Sequence, residues 1–272
     1  MPEPMFRTVR VGPARVLDAT VEEVVSAIVA LDSQSQRKVL TAYALHVGGI
    51  NLIARGHQGY VNGLISADVV YADGAATVLL AKVGGARRIE RAPTTDIGRP
   101  LLAAFASMLS RNVRVALIGG PEGLAGRAAR VLESEGGVEV VHASAGYHTD
   151  DDALARALHA AAPDVLVVGM GAPIEVEWVE RMRPSLPPSV VITCGGWFGF
   201  LAGEERRASV LLQKAHLEWA YRLSLAPRRL AARYLLGAWN TLTLLPAQRR
   251  MRRAAGLNAQ HGRDEAGRLR TR

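Results

Sequence analysis

The sequence predicts an α/β protein: a Rossmann-like parallel sheet flanked by helices, followed by a C-terminal helical appendage. Three observations carry this reading. Short apolar runs alternate with stretches of about 10–15 residues at helical spacing, the pattern of repeated βαβ units. The runs are apolar at nearly every position, as in strands covered on both faces. Glycine and polar residues gather where those runs end. With 272 residues, 49% of them hydrophobic, the chain has ample material for a core.

Taken in order, "TVRVGPARVL" reads as a strand or hairpin. "DATVEEVVSAIVALDS" follows as a helix, with Thr20 and Glu23 spaced as a capping box. Next come the strand "KVLTAYAL", two short helices through Ser66, the strand "ADVVYAD" and a helix from Gly74 to about Val83. "GGARRIERAPTTD" is a polar loop before a helix over 98–111. The strand "NVRVALIGG" then opens a second series: helix 122–135, strand "VEVVHAS", helix 150–161, strand "DVLVVGMG", helix 174–183 and strand "SVVITCGG". The organisation is an α/β core over 1–205 with a sub-boundary considered near 98–112, a helical appendage over 206–248 and a basic, disordered tail over 249–272.

Composition narrows the function classes. A single cysteine, Cys194, excludes an internal disulfide framework and fits a reducing compartment. "MPEPMFRTVRVG" lacks a basic region followed by an apolar one, so no signal peptide is read. The net charge of +8 is concentrated: residues 222–272 hold 12 Arg against Asp264 and Glu265 alone. That segment is built to meet something anionic. Between Arg233 and Arg249 lie 15 uncharged residues, too few to span a bilayer as a helix. Leu235, Ala238, Trp239, Leu242 and Leu245 share one face, which suits a helix lying in a membrane interface and drawn to anionic lipid. A packing helix with a disordered basic tail is the alternative. Nucleic acid is not expected, because the arginines surround an apolar stretch and not stacking aromatics.

In parallel sheets ligands collect beyond the carboxyl ends of the strands. The residues expected there are Thr41, Asp73-Gly74, Gly119-Gly120, Gly146-Tyr147, Gly169 to Pro173 and Gly195-Gly196. "LIGGPEGLAG" lacks G-x-G-x-x-G spacing, and no Walker A sequence occurs, so a dinucleotide oxidoreductase is disfavoured. The seven histidines show no metal-ligand spacing. A strand-end Asp-Gly before a helix is an N-cap more often than a reacting carboxylate, so Asp73 alone leaves both readings open. Arg91 could hold a phosphate or be a solvated charge, and Asp96 shares the ambiguity of Asp73. Glu175, in the first turn of a helix, is also where the dipole favours an acid. Tyr147 could stack on a base or simply pack.

Taken together these pieces resemble the WecG/TagA/CpsF family of bacterial glycosyltransferases over residues 8–247. The resemblance rests on Asp73-Gly74, on "ERAPTTD" (similar to Arg-x-x-Gly-x-Asp), on the glycines at 119–120 and on Gly146-Tyr147. It continues with "GAPIEVEW" (similar to Gly-x-Pro-x-Gln-Glu-x-Trp), "GGWFGFLAGEERRA" and "EWAYRLSLAPRRLAARY". It implies an inverting transfer of a hexose or N-acetylhexosamine-type sugar from a UDP-sugar to a polyprenyl-pyrophosphate-linked acceptor in cell-surface polysaccharide synthesis. No cofactor and no obligatory metal are implied. Asp73 would be the general base with Thr41 nearby. Arg222, Arg229 and Arg233 would stabilise the leaving diphosphate. Tyr43, Gly74, Arg91, Asp96, Gly119, Gly120, Tyr147, Gly171, Pro173, Glu175, Gly195 and Gly196 would line the substrate site. The implied place is cytoplasmic, bound peripherally to the inner face of the plasma membrane, and a homo-oligomer is compatible with the apolar helix faces. A non-catalytic, membrane-bound scaffold is the alternative.

The sequence departs from the family pattern at four places. Tyr43 stands for an Asn, Glu175-Val176 for Gln-Glu, Gly199 for the Asp of Phe-Asp-Phe and Thr94 for a Gly. Glu for Gln is expected to bring a negative charge near the diphosphate.

Overall fold

The computed structural model describes residues 6–34, 38–147, 150–205, 218–225 and 227–270. A hairpin of β1 (Thr8–Val11) and β2 (Ala14–Leu17) leads into α1 (Val21–Gln34), β3 (Leu40–Leu45), α2 (Val47–Ala54), α3 (Gln58–Ser66), β4 (Val69–Ala72) and α4 (Ala75–Val83). Then come α5 (Thr94–Leu109), β5 (Val113–Gly119), α6 (Leu124–Ser134), β6 (Val138–Ser144), α7 (Asp151–Ala161), β7 (Val165–Gly169) and α8 (Ile174–Met182). A 3-10 turn (Arg183–Ser185) precedes β8 (Val190–Thr193) and α9 (Trp197–Leu201), and the appendage consists of α10 (Glu218–Leu225) and α11 (Pro227–Arg270).

The strands form one eight-stranded sheet in the order β1-β2-β4-β3-β8-β7-β5-β6. The hairpin is antiparallel and the other neighbouring pairs are parallel. The two halves of the chain meet where β3 pairs with β8, which is a switch in strand order, and a crevice beyond the carboxyl ends belongs there. The stretch considered as a sub-boundary, 98–112, lies in α5 and the turn to β5, and the sheet continues across it.

Side-chain alternation divides the core between the two faces. Leu40, Ala42 and Ala44 of β3 join the cluster packed with α1, α5, α6 and α9. Tyr43 and Leu45 join the cluster packed with α2, α3, α4, α7 and α8. The period of two along a strand makes this division. The capping box forms as read: the Thr20 amide donates to Glu23 at 2.9 Å and the Glu23 amide to Thr20 at 3.3 Å. Helix α5 starts at Thr94 instead of 98, with Pro93 as its cap and Asp96 in the first turn, where the dipole favours an acid.

Helix α11 lies along α2 and α4 on the second face. It buries Leu230, Gly237, Thr241 and Gln248 there. Leu235, Leu236, Trp239 and Leu242 are 74%, 41%, 66% and 59% exposed. Leu244 and Leu245, by contrast, are partly buried against the core of that face. Helix α11 runs to Arg270. Among the described residues no helix is long and apolar enough to cross a membrane.

Close backbone approach marks the sheet's carboxyl edge. A Cβ on Gly119, at the end of β5, would overlap the carbonyl oxygen of Gly169 at the end of β7. Backbone cannot retreat as a side chain can, so Gly119→Ala is expected to cost about 1–3 kcal/mol. A urea midpoint equal to that of the parent protein would show that the two strand ends separate freely.

Candidate active site at the carboxyl edge of the sheet

Strands β3 and β4 end side by side, with Leu45 opposite Ala72. The carbonyl of Leu45 accepts from the Asp73 amide at 2.9 Å and from the buried Thr77 hydroxyl at 2.7 Å. Asp73 is therefore fixed at the tip of β4. It is not the cap of α4, because that position is taken by Gly74. The loop before α5 returns to the same tip, where the Ala92 amide donates to the Ala72 carbonyl at 2.8 Å. This places Arg91 and Asp96 at the edge, 3.7 Å apart and both partly buried. Behind them the buried hydroxyls of Tyr71 and Thr94 meet at 2.9 Å and bind the Thr193 carbonyl, tying the loop to β8.

From the other half of the sheet comes Glu175, near the start of α8 and 2% exposed. Its Oε2 accepts the amides of Gly171 at 2.9 Å and Gly195 at 3.2 Å, and so joins the loops after β7 and β8. Burial raises this carboxyl to about 7. The amides of Gly171, Gly195 and Met170 oppose the rise, and the charge of nearby Asp73 adds to it. Two carboxyls thus face the crevice in different surroundings, one partly exposed and one buried. Burial thus opposes the negative charge expected at Glu175. Cys194, also buried, is raised well above its ordinary value, chiefly by burial.

The third contributor is the appendage. Arg233, on α11, reaches the Nδ1 of His46 with its Nη2 at 3.0 Å. His46 caps α2, and the same Nδ1 accepts the amides of Gly48 and Gly49 at 3.0 and 3.3 Å. Asn51 locks the arrangement by donating to the Arg233 carbonyl at 3.1 Å and accepting from Asn240 at 2.9 Å.

The structure therefore brings Asp73, Gly74, Arg91, Asp96, Gly171, Pro173, Glu175, Gly195 and Arg233 to one edge, over β4, β3, β8 and β7. Gly196 caps α9 beside Gly195. Gly119 and Gly120 lie one strand further along, where the Gly120 amide donates to Gly169 at 3.0 Å. Tyr147 follows β6 at the same edge and is 66% exposed. The side chains of Arg222 and Arg229 lie outside the described residues.

Two expected residues stand elsewhere. Strand β3 begins at Leu40 and runs to Leu45, so its carboxyl end is His46. Thr41 lies at the opposite edge, its amide and hydroxyl donating to Asp68 at 2.9 and 3.1 Å, with Arg183 on the same carboxylate at 2.7 Å. Tyr43 is in mid-strand, buried, and donates to Glu180 at 2.6 Å. Both contacts join core elements. In exchange the structure adds His46 and Tyr60. An apolar strand followed by "HVGG" is a cap signal that could have pointed to His46; nothing local points to Tyr60.

Among the described residues no group of three or more His, Cys, Asp or Glu could hold a metal ion. A sequence model described as the Glycosyl transferase WecG/TagA/CpsF family matches residues 9–255. The chain is similar to the N-acetylglucosaminyldiphosphoundecaprenol N-acetyl-beta-D-mannosaminyltransferase of Bacillus spizizenii, with 30% identity over 171 residues covering 61% of this chain and 64% of that protein. It is similar also to the protein of the same name from Bacillus subtilis, with 26% identity over 173 residues, 63% of this chain and 66% of that protein. The match thus spans slightly under two thirds of each relative's length. With the model match extending over nearly the whole chain, this protein belongs to the WecG/TagA/CpsF family of glycosyl transferases.

Proposed function

We propose that the protein is an inverting glycosyltransferase, moving an N-acetylhexosamine-type sugar or a hexose from a UDP-sugar to a polyprenyl-diphosphate-linked acceptor. The observation that carries this reading is Asp73, fixed at a strand tip by the Leu45 carbonyl and relieved of the cap of α4 by Gly74. The named relatives act, by their names, on an N-acetylglucosaminyl-diphospho-undecaprenol with an N-acetylmannosaminyl group, which is the substrate chemistry offered to this chain.

In this reading Asp73 takes the proton of the acceptor hydroxyl as its oxygen attacks the anomeric carbon from the face opposite the nucleotide. The bond from that carbon to the diphosphate breaks, and its electron pair leaves with UDP. Arg233 supplies positive charge to the departing oxygens. Arg91 is the second cation at this edge. Glu175 holds the loops after β7 and β8 together through the Gly171 and Gly195 amides.

The outward face of α11 supports a peripheral seat on the cytoplasmic side of the membrane, with anionic lipid as partner. Leu235, Trp239 and Leu242 form its apolar surface, and Arg249, Arg250, Arg252 and Arg253 follow it, all four exposed. Such a helix gains from apolar burial and from the negative surface potential together. Trp239→Glu is expected to lower co-sedimentation with phosphatidylglycerol vesicles at least about tenfold, with the melting temperature unchanged. Equal vesicle binding by the variant would remove this face from the membrane.

The decisive test of the transfer uses detergent-solubilised protein, a short-chain polyprenyl-diphosphate sugar and a panel of UDP-sugars, with product read by mass. A glycosylated acceptor is the expected outcome. Folded protein that yields none with any donor would instead support the scaffold alternative.

A further inference from the structure

Helix α2 opens with two consecutive glycines, which cost a helix stability relative to alanine. Each makes room for a polar group. At Gly48 a Cβ would come within 2.7 Å of Nη2 of Arg233 and 2.8 Å of the His46 ring. At Gly49 it would overlap the hydroxyl of Tyr60, which arrives from α3. The two glycines thus admit a guanidinium and a phenol hydroxyl to adjacent points of one turn.

The guanidinium has its acceptor in His46. The hydroxyl of Tyr60 is fully buried and has no hydrogen-bond partner among the described residues. A buried hydroxyl without a partner is costly, and a phenylalanine would fill the same space without that cost. The groups whose charge reaches it are Glu175, Arg233 and Asp73, the three side chains that converge at the site. Burial, Glu175 and Asp73 all push its ionisation upward, so it remains an O–H donor at working pH. Arg233 rests against the neighbouring Gly48 on a neutral imidazole nitrogen, an acceptor that a diphosphate displaces readily.

We infer that the Tyr60 hydroxyl is a substrate-binding group, donating to an uncharged oxygen of the sugar undergoing transfer once Arg233 has turned to the diphosphate. This rests on the transferase reading above. It follows from the division of labour at the site: Asp73 serves the attacking hydroxyl and Arg233 the leaving charge, whereas a neutral donor beside the two carboxyls suits the sugar. A site that offers a buried donor to a sugar oxygen rejects sugars lacking that oxygen, because the donor is then left unpaired.

The test is Tyr60→Phe, which keeps the ring and its packing. The variant is expected to lose about 10–100-fold in kcat/KM for the sugar donor. Inhibition by UDP, which has no sugar to meet the hydroxyl, is expected to stay within about twofold, and the melting temperature to hold or rise because no protein contact is lost. The inference is overturned by kcat/KM within twofold of the parent. It is overturned equally by UDP inhibition weakened in step with kcat/KM, or by a melting temperature several degrees lower, since either gives the hydroxyl a supporting role. An inactive parent protein overturns the transferase reading and this inference together; an active parent matched by the variant overturns this inference alone.

Discussion

Asp73→Asn is expected to reduce turnover by about 10²–10⁴-fold, the contribution typical of a positioned general base. The substitution keeps the size of the side chain and the backbone bond from residue 73 to the Leu45 carbonyl. It removes the ability to accept a proton from the attacking hydroxyl. Gly74 holds the cap of α4, and Asn keeps the shape and an acceptor oxygen of Asp, so the melting temperature should move by no more than about 2 °C. KM for the donor should change little, since the lost interaction belongs to the transition state. Turnover undiminished in the Asn variant would retain the transferase and exclude Asp73 as its base. A variant that melts several degrees lower would instead make the carboxylate a structural group.

The second large effect concerns Glu175 and is read in stability. Its carboxyl goes from 4.5 to about 7 on folding, with burial as the main cause. That difference corresponds to about 3 kcal/mol. The folded state holds the proton more tightly than the unfolded chain, so the protonated group's full contribution is present below pH 4.5 and is lost as pH rises through 7. Glu175→Gln keeps an acceptor for the Gly171 and Gly195 amides and cannot ionise. Compared with the parent, the variant should gain stability as pH rises, by about 3 kcal/mol between pH 5 and 8. Denaturant midpoints across that range check it. Parallel curves for the two proteins would mean that Glu175 titrates alike in the folded and unfolded states. Transfer should survive the substitution, because Gln keeps an acceptor for both loop amides.

The sheet was largely legible in the sequence because strands apolar at every position and capped helices are local signals. The capping box at Thr20 and Glu23 formed as read, and the helix starting at Ala75 followed the Asp-Gly turn. Register within a strand is less local. "KVLTAYAL" announces a strand without announcing where its end meets the site, so Thr41 and Tyr43 were read at the wrong height, and the carboxyl end fell to His46. The place of Asp73 at the end of β4 was legible because turn chemistry marks it. The upward shift of Glu175 was out of reach, since burial depends on how α8 and the loop after β8 close over it. Tyr60 was hidden for a similar reason: its hydroxyl meets Gly49 only through the packing of α3 on α2.

The attachment of α11 also sets when this site comes into being. Asn51 binds Arg233 across 182 residues of sequence, and Gln248 on the same helix binds the Arg10 carbonyl across 238. Domains gain their contacts as the chain leaves the ribosome, N-terminal parts first. The sheet and both carboxyls can therefore assemble while α11 is still being made, and Arg233 joins them when that helix docks.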